Sequence, residues 1–379
     1  MIMKIHVTLA SLMLLLSAAP AFALPEVVRY GQFSCVTCHV SPGGGGMMTP
    51  YGREFSAEKL STWSYENEQE ALHGLLPSME TFLVGGDARW VKLKTKTGDT
   101  SFEKFWRMQT DVEAGLHVGP LWLSGMMGTK PAGPMDDPKD KGHLVHRGYS
   151  ARVDLLDDRV LLRAGLFMPK FGLMSADHTL FVRSVPGLTP DSEQTQAEVM
   201  IQGDVFEVSL ASLMVNKMYD REYKTKSGFN AGISVFVAGR NRLSLNALST
   251  KRVSGNTDIL MKAYGTSGVV TLSRVVYAMF ELDRVDNSTK SSGTTSGTSA
   301  LVNYFSLNAE VVKGIIPYLR YEFYDSNINA PDTSTGRWGG GFNWYPRPHA
   351  QIELRALKTV ANANQSMTNE TDAVLHYYF

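Results

Sequence analysis

The chain has 379 residues, of which 43% are hydrophobic and 10% aromatic, and its 37 Lys and Arg are balanced by 37 Asp and Glu. A formal net charge of zero leaves no overall electrostatic basis for binding nucleic acid, which is not expected as a partner. The two cysteines, Cys35 and Cys38, exclude a disulfide framework beyond that single pair.

In chain order, residues 1–23 carry one charged side chain, Lys4, then an apolar run from Leu9 to Leu16, then small residues ending in Ala21-Phe22-Ala23. This is the pattern of a cleavable signal peptide, so export is expected, with a mature chain beginning at Leu24 and bearing one unit of net negative charge. The run is too short to span a bilayer as a helix, and no later stretch approaches the roughly 18 apolar residues such a helix needs. A membrane location therefore requires a barrel.

Residues 24–78 hold both cysteines. Cys35-Val36-Thr37-Cys38-His39 has the spacing that attaches one c-type haem: the two thiols add to the porphyrin vinyl groups and His39 supplies the proximal imidazole to iron. An ordinary disulfide, a redox pair and a zinc site compete with this reading. Thioredoxin-type pairs open a helix in a βαβ context and structural zinc takes four ligands, and neither pattern surrounds these cysteines. The sixth ligand stays open among His73, Met79, and Met47 or Met48, with a water-bound or open iron a further alternative. The run Gly43 to Gly46 lacks the strand, helix and Lys of a phosphate loop and reads better as a collar that folds the chain back. A helix is expected over Tyr65 to Leu75, where Glu66, Glu68 and Glu70 precede Ala71-Leu72 and Gly74 with Pro77 closes the segment.

From Met79 onward the sequence breaks into segments roughly ten residues long with period-two alternation. Trp106, Met108, Thr110, Val112, Ala114, Leu116 and Val118 share one parity, while Arg107, Gln109, Asp111, Glu113 and His117 share the other. Leu319, Tyr321 and Phe323 alternate with Arg320 and Glu322, and Ile352, Leu354 and Ala356 with Gln351, Glu353 and Arg355. A soluble β-sandwich alternates too. The end of the chain favours a barrel, because Ala373, Leu375, Tyr377 and Phe379 place one apolar face on a closing strand.

Tight turns are read at Gly119-Pro120, Asp157-Asp158, Gly203-Asp204, Gly239-Arg240-Asn241, Ser273-Arg274, Lys313-Gly314 and Pro346-Arg347-Pro348. Longer connections alternate with them near Gly98-Asp99, Lys130 to Arg147, Pro169 to Gln194, Tyr219 to Ser227, Val253 to Thr257, Asn287 to Thr298, Asp325 to Gly336 and Ala361 to Glu370. Together they join about sixteen antiparallel strands, with both barrel ends on the side of the tight turns. The expected fold is all-β: a transmembrane outer-membrane β-barrel over 79–379 behind a short c-haem segment over 24–78. The connection from Pro169 to Gln194 is the longest and is expected to fold into the lumen. His117 and His376 are expected near the periplasmic rim on the lumen parity, where either could meet a haem propionate or the iron.

The cleavage region, the single Cys35-Val36-Thr37-Cys38-His39 and the strand-rich remainder resemble the fused monohaem c-type cytochrome–porins of the outer membrane, best known from iron-oxidising bacteria, and related haem-motif barrels. The architecture covers the whole chain, whereas the specific motif covers residues 30 to 53. The resemblance implies covalent haem on Cys35 and Cys38 with His39 on iron. It also implies electron transfer between an extracellular donor, such as ferrous iron, and a periplasmic carrier, so that the chain is an electron carrier rather than a hydrolase or transferase. The mixed-sign lumen parity, with Arg107, Asp111, Glu113, Arg320, Glu322, Glu353 and Arg355, suggests instead a solute porin in which the haem segment is a gate or sensor.

Overall fold

The computed structural model describes residues 25–31, 34–76, 79–129, 144–177, 179–189, 192–216, 226–362 and 366–379. The expected signal peptide lies outside them, as do His178 and most of the connection after Lys130.

Sixteen strands form the molecule: β1 Phe82–Thr97, β2 Thr100–Val118, β3 Leu121–Thr129, β4 Leu144–Leu155, β5 Val160–Phe167, β6 Gln194–Gln202, β7 Phe206–Met214 and β8 Ser227–Val237 in its first half. The second half comprises β9 Asn241–Ser254, β10 Thr257–Thr271, β11 Val276–Ser291, β12 Thr294–Ala309, β13 Ile315–Asp325, β14 Ser334–Trp344, β15 Ala350–Ala361 and β16 Ser366–Tyr378. Each pairs antiparallel with its sequence neighbours, and β16 closes on β1, so the sheet has no edge. No helix of the described residues is long and apolar enough to cross a membrane. A closed sheet is the other form in which every backbone polar group can be satisfied inside a bilayer.

All seven tight turns fall where the sequence places them, each joining an even strand to the next odd one. Outward side chains are apolar and exposed, among them Val112, Leu116, Leu210, Leu245, Phe305, Leu319 and Leu375, which is the composition a lipid-facing band requires. The expected connection from Asn287 to Thr298 is a correction: β11 and β12 run through it and turn at Ser292-Gly293, both at positive φ (49° and 85°) as a type I′ hairpin demands. Its Ser and Thr residues read as loop because they are polar. They pair across the ladder instead, Thr289 with Ser296 and Lys290 with Thr295.

A second correction concerns β2. Arg89 pairs with Gln109 and Trp90 with Arg107, so Met108 is the extra residue of a bulge and the parity flips there. Trp106 consequently faces inward and is 8% exposed, packed with Val91, whereas Arg107 is exposed on the outside. Arg107 thus leaves the set of lumen charges, and Asp111 and Glu113 remain in it, both buried.

The lumen is filled. The connection between β5 and β6, here called the inward loop, bends into the barrel and buries Phe171, Leu173, Leu180, Val182 and Leu188. These pack on the inner walls of β10 to β12 through Met261, Val269, Tyr277, Val285 and Val302. Each such fully buried side chain contributes about 1.5–3 kcal/mol to holding the loop inside.

Candidate functional site: the Cys35–His39 segment inside the barrel

The N-terminal segment lies within the turn end of the barrel, the end that faces the periplasm in barrels of this kind. It enters as a short 3-10 helix, Pro25–Tyr30, whose Val27 joins the same apolar cluster as the inward loop. Arg29 and the Tyr30 hydroxyl both bond the Glu310 carboxylate beyond the end of β12, at 2.6 and 2.7 Å. A second 3-10 turn, Cys35–Thr37, follows. The N–H groups of Cys38 and His39 donate to the Cys35 carbonyl at 3.2 and 2.9 Å, which sets both thiols and the imidazole on one turn of backbone.

The glycine collar then reverses the chain. Gly44, Gly45 and Gly46 take φ values of 74°, 69° and 65°, a left-handed run that side chains with a Cβ strongly resist. The returning strand pairs with the haem motif: Val40 N–H donates to the Met47 carbonyl and Thr49 N–H to the Cys38 carbonyl, both at 3.0 Å. His39 and Met48 face each other across this bridge. Thr49 caps the helix α1, Pro50–Phe55, by accepting from Gly52 N–H at 3.1 Å. Gly52 touches the Cys38 backbone so closely that a Cβ there would collide with its carbonyl.

The wall holds this clasp from several strands. The Glu113 carboxylate of β2 accepts from Met47 N–H at 3.0 Å, Arg163 of β5 reaches the Ser41 hydroxyl at 3.1 Å, and Arg152 of β4 donates to the Val40 carbonyl. Arg53 of α1 donates to the Val84 carbonyl of β1. Glu113, Arg152 and Arg163 sit on the lumen parity of their strands, which is the sequence signal that could have marked them. Their role as anchors for the haem segment was not legible without the barrel closed around it.

The site residues divide into groups. Cys35, Cys38 and His39 come together, with both thiols free and buried. Burial pushes Cys38 up to about 12 and raises Cys35 as well, so neither is a thiolate at neutral pH. Burial also lowers His39 to about 4, leaving a neutral imidazole, the form able to bind a metal; the backbone of Gly45 and Gly46 hydrogen-bonds the ring, and Nδ1 is buried without a partner. Met47 is 1% exposed against Gly85 and Gly115. His73 lies at the turn end, its ring 5.5 Å from that of His349 and 5.7 Å from that of Tyr377. Met79 is 46% exposed just ahead of β1. His117 stacks on Trp122 at 3.8 Å, and His376 bonds Gln351 and Asp87 at 3.0 and 2.9 Å.

The helix expected over Tyr65 to Leu75 does not form. Asn67, Leu72, His73 and Gly74 have positive φ, and the segment is a series of turns. An isolated helix of this length is marginal, and here Glu68 bonds Arg347 at 3.0 Å while the Gln69 carbonyl bonds His349 at 3.1 Å, which fixes the segment to the β14–β15 turn.

The residues present fit a covalent c-type haem. Two free thiols lie on one turn beside a neutral imidazole, and Arg152, Arg163 and Glu113 have buried polar atoms lacking partners in the adjoining wall. Lys170 and Arg242 lend positive potential at Cys35, which Glu198 and Glu207 oppose. Among the described residues no group of three or more His, Cys, Asp or Glu is arranged to hold a bare metal ion.

The barrel has the fold of bacterial outer-membrane porins. It resembles OmpT of Vibrio cholerae (TM-score 0.56, 11% identity, covering 80% of this chain and 99% of that one). It is similar also to the outer-membrane channel DcaP of Acinetobacter baumannii (TM-score 0.57, 14% identity, 80% and 99% covered). An anion-selective porin from Comamonas acidovorans aligns at a TM-score of 0.58 with 8% identity over 79% of this chain and 99% of that one. Identities this low establish the architecture alone. No family model and no curated protein matches the chain.

Proposed function

We propose that the chain is a porin-type channel of the bacterial outer membrane, held closed by an N-terminal plug that carries one haem c on Cys35 and Cys38 with His39 as proximal ligand. The observation that carries this reading is the single apolar cluster uniting Val27, Phe55 and Leu60 of the plug with the inward loop and the barrel wall. A porin lumen is polar and water-filled. Here it is occupied by segments anchored by individual ion pairs and hydrogen bonds, the arrangement of a gate rather than of a wall. Lipid is then the partner of the outer face. The test is conductance of the full chain in planar bilayers. The wild type should conduct weakly, and Arg29→Ala combined with Arg53→Ala should raise the current by releasing the plug. A high wild-type conductance that the pair of substitutions leaves unchanged would refute the gate.

Electron transfer is the second reading, and one observation favours it: the haem-attachment turn lies inside the barrel against the inward loop rather than hanging below it. A bound haem supplies one-electron chemistry, tuned by axial ligand, burial and hydrogen bonding. The partners would be a periplasmic electron carrier and an external donor such as ferrous iron. Proteoliposomes enclosing an oxidised c-type cytochrome, with a membrane-impermeant reductant added outside, separate the readings. Reduction inside without solute flux supports the carrier, and flux without reduction supports the channel.

A further inference from the structure

The outward face of β1 changes character partway along. Phe82, Val84, Ala88 and Trp90 share the lipid-facing parity, and the same parity continues as Lys92, Lys94 and Lys96. Val91, between Trp90 and Lys92, packs inside against Trp106, so the lysines are turned outward, and the Lys92 and Lys94 side chains are 59% and 58% exposed. A transmembrane strand needs roughly 9–11 residues to cross the apolar band. Phe82 to Trp90 supplies that length from the turn end, and Trp90 has the place of a girdle aromatic, so the lysines begin at the level of the outer headgroups.

Strand register extends this patch sideways. Lys96 pairs with Asn369, Asn369 with Lys358 and Lys358 with Trp338, over whose ring the Lys358 ammonium lies at 6.0 Å. In the next row toward the membrane, Lys94 is followed by Thr371, Ala356 and Gly340, and in the row below that Lys92 is followed by Ala373, Leu354 and Phe342. The small side chains of these rows floor a groove of about 600 Å³, bordered by Lys92, Lys94 and Glu103. Arg107, paired with Trp90, adds a further outward cation on β2. Apart from Asp99 at the hairpin tip, Glu103 is the one carboxylate on the outward parity of β14 to β16, β1 and β2, and it is shared by Lys92 at 3.0 Å and Lys94 at 3.8 Å. On β9 to β11 the outward Lys251, Lys262, Arg284 and Lys290 stand instead with Asp258 and Asp286, which pair with Lys251 at 2.8 Å and Arg284 at 3.0 Å.

Ammonium groups at headgroup level beside a groove at acyl level match an amphiphile with phosphate above and hydrocarbon below. In the outer leaflet of a bacterial outer membrane that molecule is lipid A, the phosphorylated and acylated anchor of lipopolysaccharide. Charge complementarity favours it over a second barrel, whose lipid-facing band is apolar and would bury Lys92 and Lys94 without a counter-charge. We propose that the outward face of β14 to β16, β1 and β2 binds lipid A, with phosphate on Lys92, Lys94 and Lys96 and an acyl chain in the groove over Gly340, Ala356 and Thr371. This goes beyond the gate and haem readings and depends only on the outer-membrane barrel.

The experiment titrates the full chain in detergent with lipid A, with lipid A stripped of its phosphates and with phosphatidylglycerol, and reads bound lipid by native mass spectrometry. Heat-modifiable migration on a gel confirms that each variant is folded. The wild type should bind lipid A in preference to both other lipids. Lys92→Gln with Lys94→Gln and Lys96→Gln should weaken lipid A binding at least about tenfold. Ala356→Phe, which fills the groove and leaves every charge in place, should weaken it as well. Glu103→Gln removes the competing carboxylate and should tighten it, whereas Lys251→Gln with Lys262→Gln should match the wild type. Equal binding of phosphatidylglycerol or of the dephosphorylated lipid by the wild type overturns the proposal. So does wild-type affinity in the triple Gln variant or in Ala356→Phe. A wild-type oligomer that the triple Gln variant dissociates, with lipid A binding unchanged, assigns the face to a second copy of the chain and overturns it too.

Discussion

Asp177, on the inward loop, lies 2.8 Å from the Arg320 guanidinium of β13, and Arg355 of β15 bonds the same carboxylate oxygen. One loop carboxylate thus bridges two buried guanidinium groups on the wall opposite the loop's origin, each of which also pairs with a wall carboxylate, Glu322 or Asp372. Thr179 and the backbone of Phe181 extend the contact to Arg337 and Glu322, with the Phe181 N–H donating to Glu322 at 2.9 Å. The loop is therefore pinned at its far side by charge and in its middle by apolar packing.

Removing the carboxylate should release the far side. Asp177→Ala removes one of the carboxylates shared by two buried cations; Glu322 still pairs with Arg320 and Asp372 with Arg355, so the cost should stay below the roughly 3–5 kcal/mol of stranding a buried charge outright. The expected outcome is a noisier and larger single-channel current, with new protease sensitivity within the loop. Deleting Ser175 to Thr189 removes the obstruction outright and should enlarge the conductance further. Currents identical to wild type in both variants would mean that the loop does not limit the pore.

The attachment motif makes a separate claim. Cys35→Ala with Cys38→Ala should abolish covalent haem staining, while the barrel, whose ladder does not involve these residues, should still insert and keep its heat-modifiable migration on a gel. Persistent staining in the double variant would sink the assignment.

The strand count, the seven turns that join even strands to odd ones and the inward loop were legible in the sequence because alternation and turn chemistry are local signals. What escaped was non-local. The bulge at Met108 inverts the parity of everything before it in β2, and no feature of Phe105-Trp106-Arg107 announces it. The turns over 65–76 depend on Arg347 and His349, which lie far along the chain. At the site, Cys35, Cys38 and His39 stand out by spacing. Glu113 and Arg152 gain their significance only from a closed barrel that brings β2 and β4 to the collar.

His376 spans the seam that closes the barrel. Its Nε2 meets Asp87 of β1 at 2.9 Å, and Arg89 bonds the same carboxylate at 3.1 Å. His376→Ala should weaken the β1–β16 closure by about 1 kcal/mol, the net worth of the lost hydrogen bonds, since Arg89 still pairs with Asp87. A lower unfolding temperature is the readout. The haem spectrum should not move, and a changed spectrum at unchanged thermal stability would instead place His376 in the haem site.

The plug's last turns should come loose in acid. His349 is fully buried in the β14–β15 turn, and burial, aided by the neighbouring His73 and Arg53, lowers it to about 4. His73 is lowered as well, by burial. A histidine whose folded pKa is depressed is docked in its neutral form. Its contribution is therefore complete above the unfolded value of about 6.5 and is lost as pH falls from there toward 4, because the undocked state binds the proton more tightly. A shift of this size amounts to about 3 kcal/mol across the window. The Glu68–Arg347 contact also holds the segment. Protease sensitivity of residues 65–76 should accordingly rise between pH 7 and pH 4.5 in the wild type. In His349→Asn the pH dependence should flatten, since Asn tolerates the positive φ of 67° there and has no proton to gain. Equal sensitivity at both pH values in the wild type, or an undiminished rise in the Asn variant, would show that another group controls the plug.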